Sequence, residues 1–259
     1  MDSIKLLSLN IGNPSLIRAS RQCEWLSMRD EDVFVLTETK NSQGCKYIED
    51  YFMNQFNTLF NHNSRIEYDV SFPRSVTGDL GVMIISKHRI AETRHLFEND
   101  SIYYSRQIES SIQYKDILLK IMGLYVPSRD RSEKKIQRKK KFIDRILNSI
   151  NSPQNNTSII VGDLNILDLN HVPHYSTFFK WEYDFYDDLI KSGYLDAYRY
   201  CNPSLNDYSW VGRSGDGYRY DYCFVSNSLI RNVISCSFEH ETRKLKLTDH
   251  SAITIELVL

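Results

Sequence analysis

Long apolar runs are missing from these 259 residues. No stretch approaches the ~20 apolar residues that span a bilayer, so a membrane segment is not expected. The amino terminus, MDSIKLLSLN, has no apolar run followed by small cleavage-site residues, and no secretory signal is expected. Paired cysteines are missing too. Cys23, Cys45, Cys201, Cys223 and Cys236 are odd in number, widely spaced and free of any CxxC pair. That spacing suits reduced thiols in a cytoplasm better than a disulfide framework or a zinc site. The basic excess of proteins that coat nucleic acid is also absent: 32 Lys and Arg face 33 Asp and Glu, for a formal net charge of −1. Charge is unevenly placed, however, with a basic run over residues 129–141 and an acidic one over 182–188. Repeats, low-complexity tracts and Pro-, Gly- or Ser-rich linkers are lacking. One domain over residues 1–259 is therefore expected, and the polar stretch 148–158 reads as a surface loop.

What the chain does have is a series of short apolar runs, over residues 4–11, 32–36, 81–86, 117–126, 158–161, 220–225 and 251–259. Their length and their Ile, Val and Tyr content fit half-buried or buried strands. Helical spacing lies between some of them. Leu16, Ala19, Cys23 and Leu26 recur at three- and four-residue steps after Pro14. Ile136, Ile143, Ile146, Leu147 and Ile150 do so behind Ser132, a suitable N-cap. A third helix is expected over 185–191, stopping at Gly193. Residues 106–114 and 117–125 read as a hairpin turning at Lys115–Asp116. Hairpins mixed with helical crossovers imply an α/β protein with mixed sheets.

Polar residues interrupt these strands at consistent places. Asn10, Glu38, Tyr125, Asp163 and Asn165 fall at or just past the carboxyl ends of apolar runs, whereas Asp221 and the Asp249–His250 pair precede the last two strands. In a mixed sheet the carboxyl ends of one strand set share an edge with the amino ends of the antiparallel set, so all eight are expected on one rim. Such a rim suits metal-assisted phosphodiester hydrolysis. Oxygen ligands such as Glu38 suit Mg²⁺ or Mn²⁺, which would neutralise phosphate oxygens and the leaving oxyanion. A carboxylate such as Asp163 can deprotonate the attacking water. A histidine paired with a carboxylate, His250 with Asp221, can present a donor to a non-bridging oxygen.

LSLNIG, VFVLTETK, GVMIISK, LYVPSRD, VGDLN, YSW, YRYDYCFVS and LTDHS follow one another in the order and rough spacing of the endonuclease/exonuclease/phosphatase superfamily. The chain resembles most its branch of exonuclease III and apurinic/apyrimidinic endonucleases, over residues 4–258. That resemblance implies a four-layer α/β sandwich of two packed mixed sheets covered by helices, of the deoxyribonuclease I type. It implies that Glu38 is the principal metal ligand, with Asn10 beside it and Asp249 on or near the metal. Asp163 would activate water and Asn165 would position it and the phosphate. Tyr125 would contact the phosphate or leaving group, and His250, oriented by Asp221, would bind the scissile phosphate. Lys40 and Trp210 resemble family residues near the site and along the substrate groove. The implied activity is Mg²⁺- or Mn²⁺-dependent cleavage of DNA, as an abasic-site endonuclease, a 3′-exonuclease or both. The expected partner is nucleic acid, the expected state a monomer.

Several residues have a plainer reading beside the chemical one. Taken singly, Asn10 or Asn165 closes a turn and Glu38 belongs to a solvated loop. His171 and His174 share an HVPH spacing that hints at metal, but a surface loop beside Pro173 is the simpler account. Residues 138–141 read as the solvated face of a helix. Arg129 and Arg131, on a loop after Tyr125, are the better phosphate contacts, and Tyr218 is placed in the groove because it flanks Asp221. The remaining histidines, His62, His88, His95 and His240, receive no role. The chain also departs from the family pattern. Gly12 stands where an aspartate is common, Ser128 replaces an asparagine, and Val211–Gly212 and Tyr218 stand where tryptophans are frequent. A non-specific nuclease, another phosphodiesterase or phosphatase of the superfamily, and a catalytically dead binding module are the alternatives.

Overall fold

The computed structural model describes residues 3–53, 68–150 and 157–259. His62 and the centre of the 148–158 stretch lie outside them. The chain begins β1 (Ser3–Asn10), α1 (Leu16–Ser27), β2 (Val33–Thr39), α2 (Gln43–Phe52), β3 (Asp69–Ser71) and β4 (Gly81–Ser86). It continues with β5 (Ile90–Arg94), β6 (Gln107–Tyr114), β7 (Ile117–Tyr125), α3 (Glu133–Ile150), β8 (Ser158–Asp163) and α4 (Lys180–Lys191). The last third holds β9 (Tyr194–Asp196), α5 (Ala197–Cys201), β10 (Trp210–Val211), β11 (Gly217–Tyr218), β12 (Asp221–Ser226), β13 (Val233–Glu239), α6 (Glu241–Lys244) and β14 (Ala252–Val258).

Two six-stranded sheets form, ordered β13-β14-β1-β2-β4-β3 and β5-β6-β7-β8-β12-β9. Both are mixed. β1 runs parallel to β2 and antiparallel to β14, and β7 runs parallel to β8, which is antiparallel to β12. Fully buried strands such as GVMIIS and DYCFVS have no polar face, because each sheet is covered on both sides. Between the sheets lie Ile4, Val35, Ile84, Ile121, Val161 and Val225. The outer face of the first sheet packs Leu7, Leu36 and Met83 on Ala19, Cys23 and Leu26 of α1 and Ile48 of α2. The outer face of the second packs Leu124, Ile160 and Phe224 on Phe142 and Ile146 of α3 and Phe185 of α4. These are the four layers expected, helix–sheet–sheet–helix. No helix among the described residues is long and apolar enough to cross a membrane.

The expected hairpin is β6–β7, turning at Lys115 in the left-handed region (φ 52°). The α1 helix is capped by Ser15, whose hydroxyl accepts from Arg18 N, so Pro14 precedes the cap rather than opening the helix. Ser132 opens α3 through its carbonyl, which accepts from Ile136 N, while its hydroxyl donates to Asp130 instead of capping. The third helix is longer than its apolar spacing suggested, because Glu182 closes its first turn by accepting from Phe179 N.

The carboxyl ends of β1, β2, β7 and β8 and the amino ends of β12 and β14 share one rim. Gly162 allows β8 to approach β7 there: a Cβ on it would meet Leu124 O at 2.1 Å, and its φ is 141°.

Candidate active site

Tyr125, Asp163 and Asp221 are cross-strand neighbours on three adjacent strands of the second sheet. Asp163 and Asp221 are therefore directly opposed carboxylates, an unfavourable pairing unless a proton or a cation intervenes. His250, in the turn before β14, donates from Nδ1 to Asp221 Oδ2 at 2.8 Å. All three are buried, and their ligand atoms lie within 4.8 Å of one another. Burial, the Asp221 charge and nearby Glu38 push the Asp163 carboxyl well above the usual range, against the His250 charge and the Asn10 hydrogen bond. Burial works to lower His250, but the Asp221 charge and hydrogen bond outweigh it and lift the imidazole to about 9.

Asp163 is fixed at both oxygens. Asn10 Nδ2 donates to Oδ2 at 2.9 Å across the gap between the sheets, and Asn165 N donates to Oδ1 at 3.0 Å. Asn10 Oδ1 accepts from Gly12 N, so the Asn10 carboxamide is engaged at both ends. Asn165 sits at φ 49° and donates from its side chain to Val126 O. Glu38 is also in the left-handed region, at φ 55°, and the β2–β4 register shifts between Thr37 and Thr39. A bulge of this kind re-aims a side chain, and strained backbone concentrates at functional residues. Tyr125 OH donates to Glu38 Oε1 at 3.0 Å. Burial, then the charges of Glu38 and Asp163, hold this phenol well above its ordinary value.

Asp249 lies on the open side of the rim. Trp210 Nε1 donates to its Oδ2 at 2.9 Å, and Trp210 bridges His250 through the backbone. Burial would raise the Asp249 carboxyl, but the Trp210 hydrogen bond and the His250 charge hold it below the usual range. Glu38 and Asp249 line one open cavity of about 630 Å³. As accessible carboxylates they fit a hard divalent cation. Asp163, Asp221 and His250 also cluster tightly enough for an ion. Their central hydrogen bond, however, already occupies Asp221 Oδ2 and His250 Nδ1, and only Asp221 Oδ1 is buried without a partner. Glu38 and Asp249 also carry hydrogen bonds, from Tyr125 and Trp210, but they face the open cavity, whereas the cluster is buried.

Beyond the rim, the structure treats the expected substrate contacts unequally. Tyr218 stacks on Tyr175 (4.3 Å) and Tyr220 (5.1 Å), and with the exposed Arg131 and Asn165 it lines a second cavity of about 330 Å³. Lys40 runs beside Gly78, and its ammonium has no partner among the described residues. Arg129 is not the free phosphate donor expected. Its guanidinium pairs with buried Glu182, bonds Thr177 O and covers the Phe179 ring at 4.3 Å. Lys139, expected on a solvated helix face, is buried on Glu182 (2.5 Å) and Asn165 O, while Arg138 pairs with Asp79. His171 is not on the surface either. It is buried, its Nε2 accepts from Arg219 N at 3.2 Å, and its Nδ1 faces Pro173 O at 2.9 Å. His174 is exposed, as expected, and stacks on Tyr183.

Sequence reasoning missed the residues that fix the rim from behind. Ser209 Oγ accepts from Tyr220 N and Asp221 N, and Ser209 O accepts from Ser251 N, so one serine ties β12 to the turn carrying His250. Thr248 Oγ1 donates to Asn10 O at 2.7 Å. Arg219, fully buried, donates to Asp168 Oδ2 and Asp196 Oδ2, each at 2.6 Å. Ser209 lay inside the YSW motif and Arg219 inside YRYDY, but their partners lie far off in the chain.

The two-sheet sandwich thus carries an acid–amide–histidine rim at one edge. The model of the Endonuclease/Exonuclease/phosphatase family matches residues 7–250, a span that includes every rim residue, and the chain belongs to that family. Among curated proteins, a DNA-(apurinic or apyrimidinic site) endonuclease of Arabidopsis thaliana is 26% identical over 174 residues, 53% of this chain. The alignment spans about half, 48%, of that relative's length. Among solved structures, an AP endonuclease from Archaeoglobus fulgidus superposes with a TM-score of 0.81 at 20% identity, covering 99% of this chain and all of that one. The 3′ phosphatase NExo from Neisseria, bound to a product DNA hairpin, matches equally well at 17% identity, again over 99% of this chain and all of that one. At these identities the superpositions speak for the fold.

Proposed function

We propose that the chain is a Mg²⁺- or Mn²⁺-dependent phosphodiester hydrolase acting on DNA, as an abasic-site endonuclease, a 3′-exonuclease or both. The observation that carries this reading is the Asp163–Asp221–His250 cluster, held by Asn10 and Asn165 beside the cavity that Glu38 and Asp249 line. Glu38 and Asp249 hold the divalent cation, which supplies charge neutralisation at the phosphate. Asp163 takes a proton from the attacking water; a raised carboxyl pKa makes it a stronger base once ionised. Asn10 and Asn165 fix the direction of that carboxylate. His250, kept protonated by Asp221, presents its free Nε2–H to a non-bridging oxygen as negative charge grows there. Tyr125 OH orients Glu38, and Trp210 orients Asp249. The DNA-(apurinic or apyrimidinic site) endonuclease among its relatives supports DNA as the substrate.

The test is a cleavage panel in Mg²⁺ and in Mn²⁺, with product ends mapped: abasic duplex, recessed and blunt 3′ ends, intact duplex, single-stranded DNA and RNA. Metal-dependent incision at the abasic site or resection from 3′ ends supports the proposal. Equal digestion of intact duplex and of every other substrate would replace it with a non-specific nuclease. Binding without turnover under either metal would replace it with a binding module.

A further inference from the structure

The cavity beside Glu38 and Asp249 holds more charge than a metal site needs. Arg18, Arg243 and Lys246 reach into the same space, and among the described residues none of the three pairs with either carboxylate. Two of them are held in place. Arg18 donates from Nη2 to Gly12 O, and its buried Nε has no partner. Arg243 donates to Ser251 Oγ at 2.7 Å and to Tyr208 O at 3.3 Å, and it lies 3.0 Å from His240 Nδ1, the other nitrogen of that ring facing Asp207. Lys246 is exposed and sits at φ 53°, and its ammonium has no partner among the described residues. Gly12 makes the space: an ideal Cβ there would stand 3.3 Å from Arg18 Nη2. With glycine at this position, no carboxylate neutralises the guanidinium from that side.

With a dication on Glu38 and Asp249, the two carboxylates are satisfied, and the Arg18 and Lys246 charges remain uncompensated beside it among the described residues, while Arg243 feels the Asp207 carboxylate. Only an anionic ligand relieves that excess. A guanidinium already fixed by several partners loses little freedom when it binds one, and its donors match phosphate oxygens. We propose that Arg18, Arg243 and Lys246 form a second phosphate subsite, taking a phosphate group of the nucleic acid other than the one attacked at Asp163 and His250. The inference rests on the nuclease reading above and deepens it. The enzyme is then a reader of chain phosphates on both sides of its metal rather than of one isolated ester. The group held is either a diester within the strand or a terminal monoester.

The experiment is fluorescence anisotropy of a labelled duplex in EDTA, titrated from low to moderate NaCl, for the wild type, Lys246→Asn and Arg18→Gln. Asparagine tolerates the left-handed backbone at residue 246, so Lys246→Asn removes charge without strain. Losing one phosphate contact lowers the slope of log affinity against log salt by about 0.9. The expected result is a fall of about that size, with several-fold weaker binding at low salt, in each variant. A control, Lys191→Gln on the far end of α4, keeps the wild-type slope. Running duplexes with a 3′-hydroxyl and a 3′-phosphate separates the two sources. Equal losses on both place a strand diester in the subsite, and losses confined to the phosphorylated duplex place a terminal monoester there. Slopes equal to wild type in both variants and on both duplexes overturn the subsite alone, provided that the wild type binds and cleaves. A wild type that binds neither duplex overturns the nuclease reading and the subsite together.

Discussion

Replacing Arg219 by methionine would remove a fully buried guanidinium that two buried aspartates share. Asp168 Oδ2 and Asp196 Oδ2 each sit 2.6 Å from it, and their side chains are 3% and 2% exposed. Breaking a buried pair costs about 3–5 kcal/mol, because the partner charge stays buried and unpaired. Some relief remains here: Tyr186 OH still donates to Asp196 Oδ2 at 3.1 Å, and Arg199 stays 3.5 Å from Asp168. The lower end, about 3 kcal/mol, is therefore expected. Against a total of about 5–15 kcal/mol the variant remains folded in the cold, and with a urea m-value near 3 kcal/mol/M its midpoint drops by about 1 M. The assay is equilibrium urea unfolding by circular dichroism. Adding Asp168→Asn and Asp196→Asn to Arg219→Met should recover much of the loss by removing the stranded charges. A midpoint unchanged within 0.2 M, a bound set at roughly a fifth of the expected shift, would refute the reasoning; so would a triple variant no better than the single.

Three further outcomes follow from the rim. In Asp221→Asn the largest of the charges that lift His250 is gone, leaving those of Asp163 and Asp249 against burial, so the alkaline limb of the pH–rate profile, expected near 9 in the wild type, moves down; an unmoved limb would show that Asp221 does not set it. In EDTA, the folded-state pKa values of Asp163 and His250 both lie above their unfolded values. Their stabilisation is present in full below the unfolded values and is lost as pH rises through the folded ones. Melting temperature should therefore fall between pH 6 and 9, less steeply in Asp163→Asn; parallel curves for the two proteins would contradict this. Trp210→Phe removes the donor that orients Asp249. The half-saturating Mg²⁺ concentration should rise about 10-fold or more, as for other partners of metal ligands, with the rate at saturating metal nearly kept; an unchanged metal requirement would detach Asp249 from the ion.

Much of this site could be read before any coordinates because its chemistry ends strands. Asn10, Tyr125 and Asp163 are the terminal residues of β1, β7 and β8, and Asp221 opens β12. A buried apolar run that stops at a carboxylate or an amide is a local signal, and strand direction then brings the ends to one rim. The backbone strain at Glu38 was invisible, since glutamate does not advertise a positive φ, whereas Asn165 is of a type that tolerates one. The ion pairs were invisible too. Arg129 read as a free loop cation because its partner, Glu182, is 53 residues away. Arg219 read as part of a groove motif because Asp168 and Asp196 lie 51 and 23 residues off. Lys139 stands on the apolar face of α3, at helical spacing with Phe142, Ile143 and Ile146; its charge hid the signal, because its partner Glu182 lies 43 residues away in the first turn of α4. In contrast, α2 carried a signal that went unread: Cys45, Ile48 and Phe52 are buried at helical spacing behind the capping hydroxyl of Ser42.

The central claim is that Asp163 and His250 act on a phosphodiester beside a cation held by Glu38 and Asp249. The most direct measurement is single-turnover cleavage of an abasic-site duplex in Mg²⁺ by the wild type and by Glu38→Gln, Asp163→Asn and His250→Gln, each checked for a native circular dichroism spectrum. The wild type should cut the strand and stop in EDTA, and each variant should lose about 100-fold or more, the scale expected for a general base or a charge-stabilising donor. Wild-type rates in any folded variant, or scission undiminished by EDTA, would contradict that claim.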